Sequence, residues 1–72
     1  MGKKTVVFNQ IDLDEADENI GKEVMIILRN GDQYFGILRD IDDDELVLSR
    51  PEQKVSLGFE LSWITLIAVK EE

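Results

Sequence analysis

The sequence predicts a mostly β fold of the α+β class, in which one short N-terminal helix precedes a five-stranded, strongly bent small barrel. Three observations support this prediction. The chain has only 72 residues, which suits a single domain. Its apolar residues recur at helical spacing in one short segment only. From residue 22 onward they alternate or form short runs between turns that contain Gly, Asp or Pro. We expect residues 1–10 to be an N-terminal arm and residues 11–72 to be the domain.

The predicted helix covers residues 11–20. Its apolar residues Leu13, Ala16 and Ile20 fall on one helical face, and acidic residues occupy the other face. Gly21 follows directly, and glycine is the residue that most often ends a helix because it adopts left-handed dihedral angles readily.

Five strands are predicted after the helix, at residues 24–29, 33–41, 46–49, 55–61 and 64–70. Asn30-Gly31 between the first two is a strong hairpin signal, because the favoured two-residue turn needs positive φ at both positions. Gly36 lies inside the second predicted strand, where a glycine indicates a bulge or a sharp bend. The fourth segment alternates apolar and small or polar residues, which is typical of a strand with one buried face.

Composition limits the chemistry of the chain. It has no cysteine and no histidine, so disulfides, thiolate metal sites and the commonest general base are absent. We expect no catalytic residues, no cofactor and no metal site. The acidic turn at residues 42–44 leaves a divalent-ion site open as an alternative, although a solvated turn is the preferred interpretation. No apolar run approaches the roughly 20 residues that span a bilayer, so we expect a cytoplasmic protein with no membrane partner.

Charge and strand patterning bear on partners. The net charge is −8, which opposes tight, sequence-independent binding to nucleic-acid phosphates. Residues 24–28 and 64–69 are apolar on both faces of their predicted strands, and such strands are covered on both sides. A chain this small buries only about 60% of its unfolded surface. Size and patterning together predict a homo-oligomer.

Residues 21–42 resemble the first motif of the Sm and Sm-like (LSm, Hfq-like) family. That motif has alternating apolar residues, a turn glycine, a second glycine five residues later, and an aspartate after an apolar position. In this chain these are Gly31, Gly36 and Asp42, with Ile41 at the apolar position. Other SH3-like barrels share part of this pattern. The resemblance extends over about residues 11–70 and implies a divergent member of the family.

The resemblance implies a homo-oligomeric ring in which the fourth barrel strand of one subunit pairs with the fifth barrel strand of the next. A closed head-to-tail ring leaves no open sheet edge, and about five to seven subunits are expected. The expected subunit interface consists of Val55, Leu57, Phe59, Ile64, Leu66 and Ala68.

The family's RNA pocket is not retained in this sequence. Sm proteins hold bases with an aromatic or apolar residue and an asparagine in the turn after the second barrel strand, together with an Arg-Gly pair before the fifth. Here the turn at residues 42–45 is wholly acidic and Ser62-Trp63 replaces Arg-Gly. Trp63 keeps a stacking surface, although a core or subunit-contact role is the commoner one for tryptophan. The candidate RNA or ring-face contacts are Arg29, Arg39, Asp42 and Trp63.

Two functions follow from these observations. The first is a non-enzymatic ring-forming Sm-like protein that contacts RNA through a divergent surface. The alternative is a ring-shaped protein-interaction scaffold that has lost the nucleic-acid pocket. The resemblance favours RNA binding, whereas the acidic balance and the altered pocket favour the scaffold.

Overall fold

The computed structural model describes residues 6–71. Within these residues the chain forms six strands and three short 3₁₀ helices. The strands are β1 (Phe8–Ile11), β2 (Glu23–Leu28), β3 (Gln33–Ile41), β4 (Glu45–Arg50), β5 (Val55–Glu60) and β6 (Ile64–Lys70). The 3₁₀ helices are Leu13–Asn19, Pro51–Gln53 and Leu61–Trp63.

The strands form one antiparallel sheet in the order β1-β6-β2-β3-β4-β5. The mostly β prediction is therefore confirmed, but the predicted five-stranded barrel is not matched: the described residues form an open sheet of six strands. The additional strand is β1, most of which falls in the predicted arm. Its register on β6 runs from Phe8 opposite Lys70 to Ile11 opposite Ile67.

The predicted helix is also corrected. The segment Leu13–Asn19 is a 3₁₀ helix of seven residues, and Ile11 belongs to β1. The Glu15 N–H donates to the Asp12 carbonyl at 3.0 Å, which is the i to i+3 bond of the tighter helix. The segment has strand β1 on one side and extended Ile20 on the other. So short a segment gains little from α-helical propagation.

β3 is the longest strand and joins the two halves of the sheet. Residues 33–37 pair with β2, and residues 37–41 pair with β4. The register shifts between Leu38 and Asp40, so Arg39 occupies a bulge. Gly31 in the preceding turn has φ of 91°, the left-handed conformation that glycine adopts without a steric penalty.

One face of the sheet carries the core. The core contains Ala16 from the first 3₁₀ helix together with residues of β2, β3, β4 and β6: Val24, Ile26, Leu38, Leu46, Leu48, Ile64 and Ile67. Across this core the rings of Tyr34 and Phe59 lie 4.9 Å apart. In residues 6–71 no helix has the length and apolar character needed to cross a bilayer.

Candidate functional site

Three loop segments meet at one end of the sheet and define a surface that we call the loop corner: Arg29, residues 42–45, and the Leu61–Trp63 helix. The Leu61 N–H donates to the Asp44 carbonyl at 2.9 Å. The Arg29 N–H donates to the Trp63 carbonyl at 2.8 Å. These two backbone bonds hold the β3–β4 turn, the β5–β6 connection and the end of β2 together.

Arg29 and Trp63 are the cationic and aromatic residues of the loop corner. Trp63 is 50% exposed, and Arg29 is also exposed. The 3₁₀ helix that carries Trp63 is followed directly by Ile64, which is buried in the core and pairs with Leu28 at the end of β2. The backbone that carries the indole is therefore held in place, and half of the Trp63 surface is exposed to solvent. An exposed aromatic ring is a surface on which a nucleic-acid base stacks.

Asp42 organises the β3–β4 turn. Its Oδ1 accepts hydrogen bonds from the Asp44 N–H and the Glu45 N–H, both at 2.8 Å. These two backbone bonds lower the pKa of Asp42 below its usual value, because they stabilise the carboxylate form. The sequence-predicted role of Asp42 as a ring-face contact is thus accompanied by a structural role within its own turn.

The loop corner is strongly acidic. A depression of about 330 Å³ is lined by Asp43, Asp44, Glu60, Leu61 and Ser62. A neighbouring one of about 300 Å³ lies between the first 3₁₀ helix and the β3–β4 turn, with Asp14, Asp17, Asp42 and Asp43 among its lining residues. Despite these carboxylates, residues 6–71 contain no group of three or more acidic side chains arranged to hold a metal ion. The lining favours cationic groups over phosphates.

Arg39 does not lie with Arg29 and Trp63. It occupies the bulge of β3, and its guanidinium Nη1 donates to Ser56 Oγ of β5 at 3.0 Å. Because this bond reaches across β4, Arg39 is directed over the sheet face and stabilises the β5 side of the sheet. Of the four predicted contacts, the structure therefore places the backbones of Arg29, Asp42 and Trp63 in the loop corner, and directs the Arg39 side chain to Ser56 instead.

The predicted interface residues are divided between two unlike strands. On β5, Val55 is 43% exposed, and Leu57 and Phe59 are half-buried. On β6, Ile64 is 7% exposed and Ala68 is 3% exposed. The strand β6 is paired with β2 on one side and with β1 on the other, so among the described residues the unpaired edges of the sheet belong to β1 and β5.

Sequence reasoning missed β1 and the position of Arg50. Arg50 Nε donates to the Phe35 carbonyl at 3.0 Å, and its guanidinium carbon lies 6.0 Å from the centre of the Tyr34 ring. It lines a depression of about 330 Å³ away from the loop corner, beside Gly36 and Pro51. In the sequence, Arg50 directly precedes Pro51, and this position indicated only that a strand ends there.

No protein-family model, no curated protein and no solved structure matches this chain.

Proposed function

We propose that this chain is a divergent, non-enzymatic Sm-like protein that assembles into a homo-oligomeric ring and contacts single-stranded RNA at the loop corner. The observation that carries the proposal is the Leu61–Asp44 backbone hydrogen bond of 2.9 Å. It joins the turn after β3, the second barrel strand, to the segment before β6, the fifth barrel strand. In Sm proteins these two segments form the RNA pocket.

The strand order gives independent support. Strands β2 to β6 follow the order β6-β2-β3-β4-β5, and β1 lies outside β6. Apart from β1, the outer strands are therefore β5 and β6, the fourth and fifth barrel strands. A ring that pairs the fourth strand of one subunit with the fifth of the next requires this order. Ring closure removes open edges from the sheet, which favours assembly of a small domain whose described residues leave the edges of β1 and β5 unpaired.

The proposed RNA contact combines stacking on Trp63 with attraction of a phosphate to Arg29. These are the stacking platform and the cation that single-strand binding proteins use. The carboxylates at residues 42–45 oppose the phosphate contact, so binding is expected to rest on stacking and to weaken as salt rises.

Binding is tested by fluorescence anisotropy of labelled short U-rich and A-rich RNAs at low salt. Trp63 is the only tryptophan, so quenching of its emission reports stacking directly. Removing one stacking residue costs about 1–3 kcal/mol, so Trp63→Ala should weaken binding roughly 5- to 150-fold. Arg29→Gln should weaken it less.

Arg39→Gln is the matched control, because it removes the same charge from a guanidinium that bonds Ser56 away from the loop corner. Its affinity should stay near that of the wild type. No binding of either RNA at low salt, where electrostatic contributions are largest, would rule out the RNA contact.

The second candidate is a ring-shaped scaffold that binds other proteins. The observation that favours it is the acidic depression lined by Asp43, Asp44 and Glu60, which suits a basic partner surface. An assembled protein that binds no RNA at low salt but binds a lysine-rich peptide would support the scaffold. Asp43→Asn combined with Asp44→Asn should then weaken peptide binding, whereas Glu52→Gln, in the 3₁₀ helix away from the loop corner, should not.

A further inference from the structure

We propose that the outer edge of β1 is the surface on which a second copy of this chain docks, with β5 of that copy adding to it as the next strand of the sheet. This inference rests on the ring assembly proposed above, and it identifies the partner surface within that assembly. It differs from the interface that the family resemblance implies, because β1 takes the place of β6 as the edge strand.

β1 is firmly anchored to the domain. Its ladder on β6 is extended by a bond from the Glu71 N–H to the Val7 carbonyl at 2.8 Å. Ile11 packs against the core, and the Phe8 ring lies 5.7 Å from the ring of Phe35 in an edge-to-face arrangement. The chain then continues directly into the 3₁₀ helix that buries Ala16 completely. Displacing β1 to expose β6 would break all of these contacts.

The outward-facing groups of β1 follow from its hydrogen-bond pattern. In an antiparallel pair, alternate residues bond the partner and the residues between them point to the opposite side. Val7 bonds Glu71 across the ladder, so Asn9 and Ile11 also face β6. The backbone N–H and C=O groups of Phe8 and Gln10 therefore point outward.

The same reasoning identifies the groups that β5 offers. Leu61 bonds Asp44 across the β4–β5 ladder, and the register continues with Leu46 opposite Phe59 and Leu48 opposite Leu57. The backbone groups of Ser56, Gly58 and Glu60 are therefore directed away from β4. β1 and β5 thus each carry a row of donors and acceptors that no other strand of the described residues satisfies.

Charge and exposure favour these two edges as mutual partners. Phe8–Ile11 contains no charged residue, and Val55–Glu60 contains only the terminal glutamate. Two copies of a chain with net charge −8 repel each other least where uncharged strands meet. Neither strand contains the lysine or proline that commonly protects an edge. Exposed valines precede β1 and begin β5: Val6 is 57% exposed, Val7 42% and Val55 43%.

The test compares proline substitutions at two adjacent positions of β1, measured by native mass spectrometry and light scattering over a range of protein concentrations. Gln10→Pro removes an outward N–H and leaves the β1–β6 ladder intact, since edge strands tolerate proline where the N–H faces solvent. Asn9→Pro removes an N–H that faces β6. Gln10→Ala keeps the backbone donor and is the matched control.

We expect Gln10→Pro to raise the dissociation constant of the assembly at least about tenfold and Gln10→Ala to leave it unchanged. Amide hydrogen exchange at Phe8 and Gln10 should slow as the wild-type protein assembles. Far-UV circular dichroism and Trp63 emission verify that each variant is folded.

The outcomes separate this inference from the proposed function. Gln10→Pro could assemble like the wild type while Asn9→Pro assembles more strongly. That result would mean that the ring forms on β6 after β1 is displaced. It would refute the inference about β1 and leave the proposed ring unaffected. If the wild-type protein is a monomer at every concentration, both the inference and the ring are wrong. RNA binding by the monomer would still be measured independently.

Discussion

Gly36 lies in β3 beside Leu48 and Ser49 of β4. A Cβ atom added at this position would lie 3.1 Å from Leu48 Cβ and 3.1 Å from the Ser49 carbonyl oxygen. Both atoms are held by the backbone of β4, so neither moves aside through a simple change of rotamer. We expect Gly36→Ala to push β3 and β4 apart at the centre of the sheet.

The expected cost of Gly36→Ala is about 1–3 kcal/mol, the range for adding a methyl group to a well-packed site. At roughly 4–8 °C per kcal/mol for a domain of this size, the melting temperature should fall by at least about 4 °C. Urea unfolding followed by Trp63 emission measures the free energy. The protein concentration is held constant because assembly contributes to the apparent stability.

Gly31 provides the control, because its surroundings are open within 4 Å and only its φ of 91° is restrictive. Gly31→Asn should be milder than Gly31→Ala, since asparagine tolerates the left-handed region. Gly36→Asn should be at least as harmful as Gly36→Ala, since space is the restriction there. A Gly36→Ala protein within about 0.5 kcal/mol of the wild type, the range of a neutral surface change, would refute this reasoning.

Two further predictions concern the core and the β3–β4 turn. Leu38 is fully buried, so Leu38→Ala should lower the free energy of unfolding by about 2–5 kcal/mol in urea titration; a loss no greater than that of Phe35→Ala, where the ring is 44% exposed, would contradict the described core. Asp42→Ala should lower the melting temperature at pH 7 more than Asp43→Ala does. Because folding lowers the pKa of Asp42, its charged form stabilises the fold above the usual Asp value of about 3.9, and this stabilisation is lost as the pH falls through the folded pKa. A difference between wild type and Asp42→Ala that is constant from pH 7 to pH 2 would show that the ionised carboxylate does not support the turn.

The sequence predicted the strands after residue 22 because their signals are local. Short, largely apolar runs bounded by turns specify the segments 33–41 and 64–70 as the structure has them. The predicted strand 55–61 differs from β5 by one residue at one end, and the predicted strands 24–29 and 46–49 differ from β2 and β4 by one residue at each end. The acidic character of the loop corner could also be predicted from the sequence, because residues 42–45 of the β3–β4 turn are all acidic.

Three features of the candidate site were beyond local patterns. β1 has four residues, Phe-Asn-Gln-Ile, too few for a strand period to be read with assurance. Arg39 was grouped with Arg29, because nothing near it in the sequence indicates a hydrogen bond to Ser56 on a strand 17 residues later. Residues 11–20 have apolar residues at helical spacing, but Ile11 at one end belongs to β1. The helix is therefore a 3₁₀ helix restricted to Leu13–Asn19.

The sequence by itself determined a small, acidic, mostly β domain with its hairpin turn and an acidic turn after β3. These follow from side-chain size, charge and backbone freedom, which each residue carries with it. Only the tertiary structure decided that β1 lies on β6, that Arg29 and Trp63 share one corner, and which strand edges remain unpaired. Those features depend on the pairing of segments distant in the chain, such as Phe8 with Lys70. The proposed assembly depends on the same kind of pairing, between β1 of one copy and β5 of another.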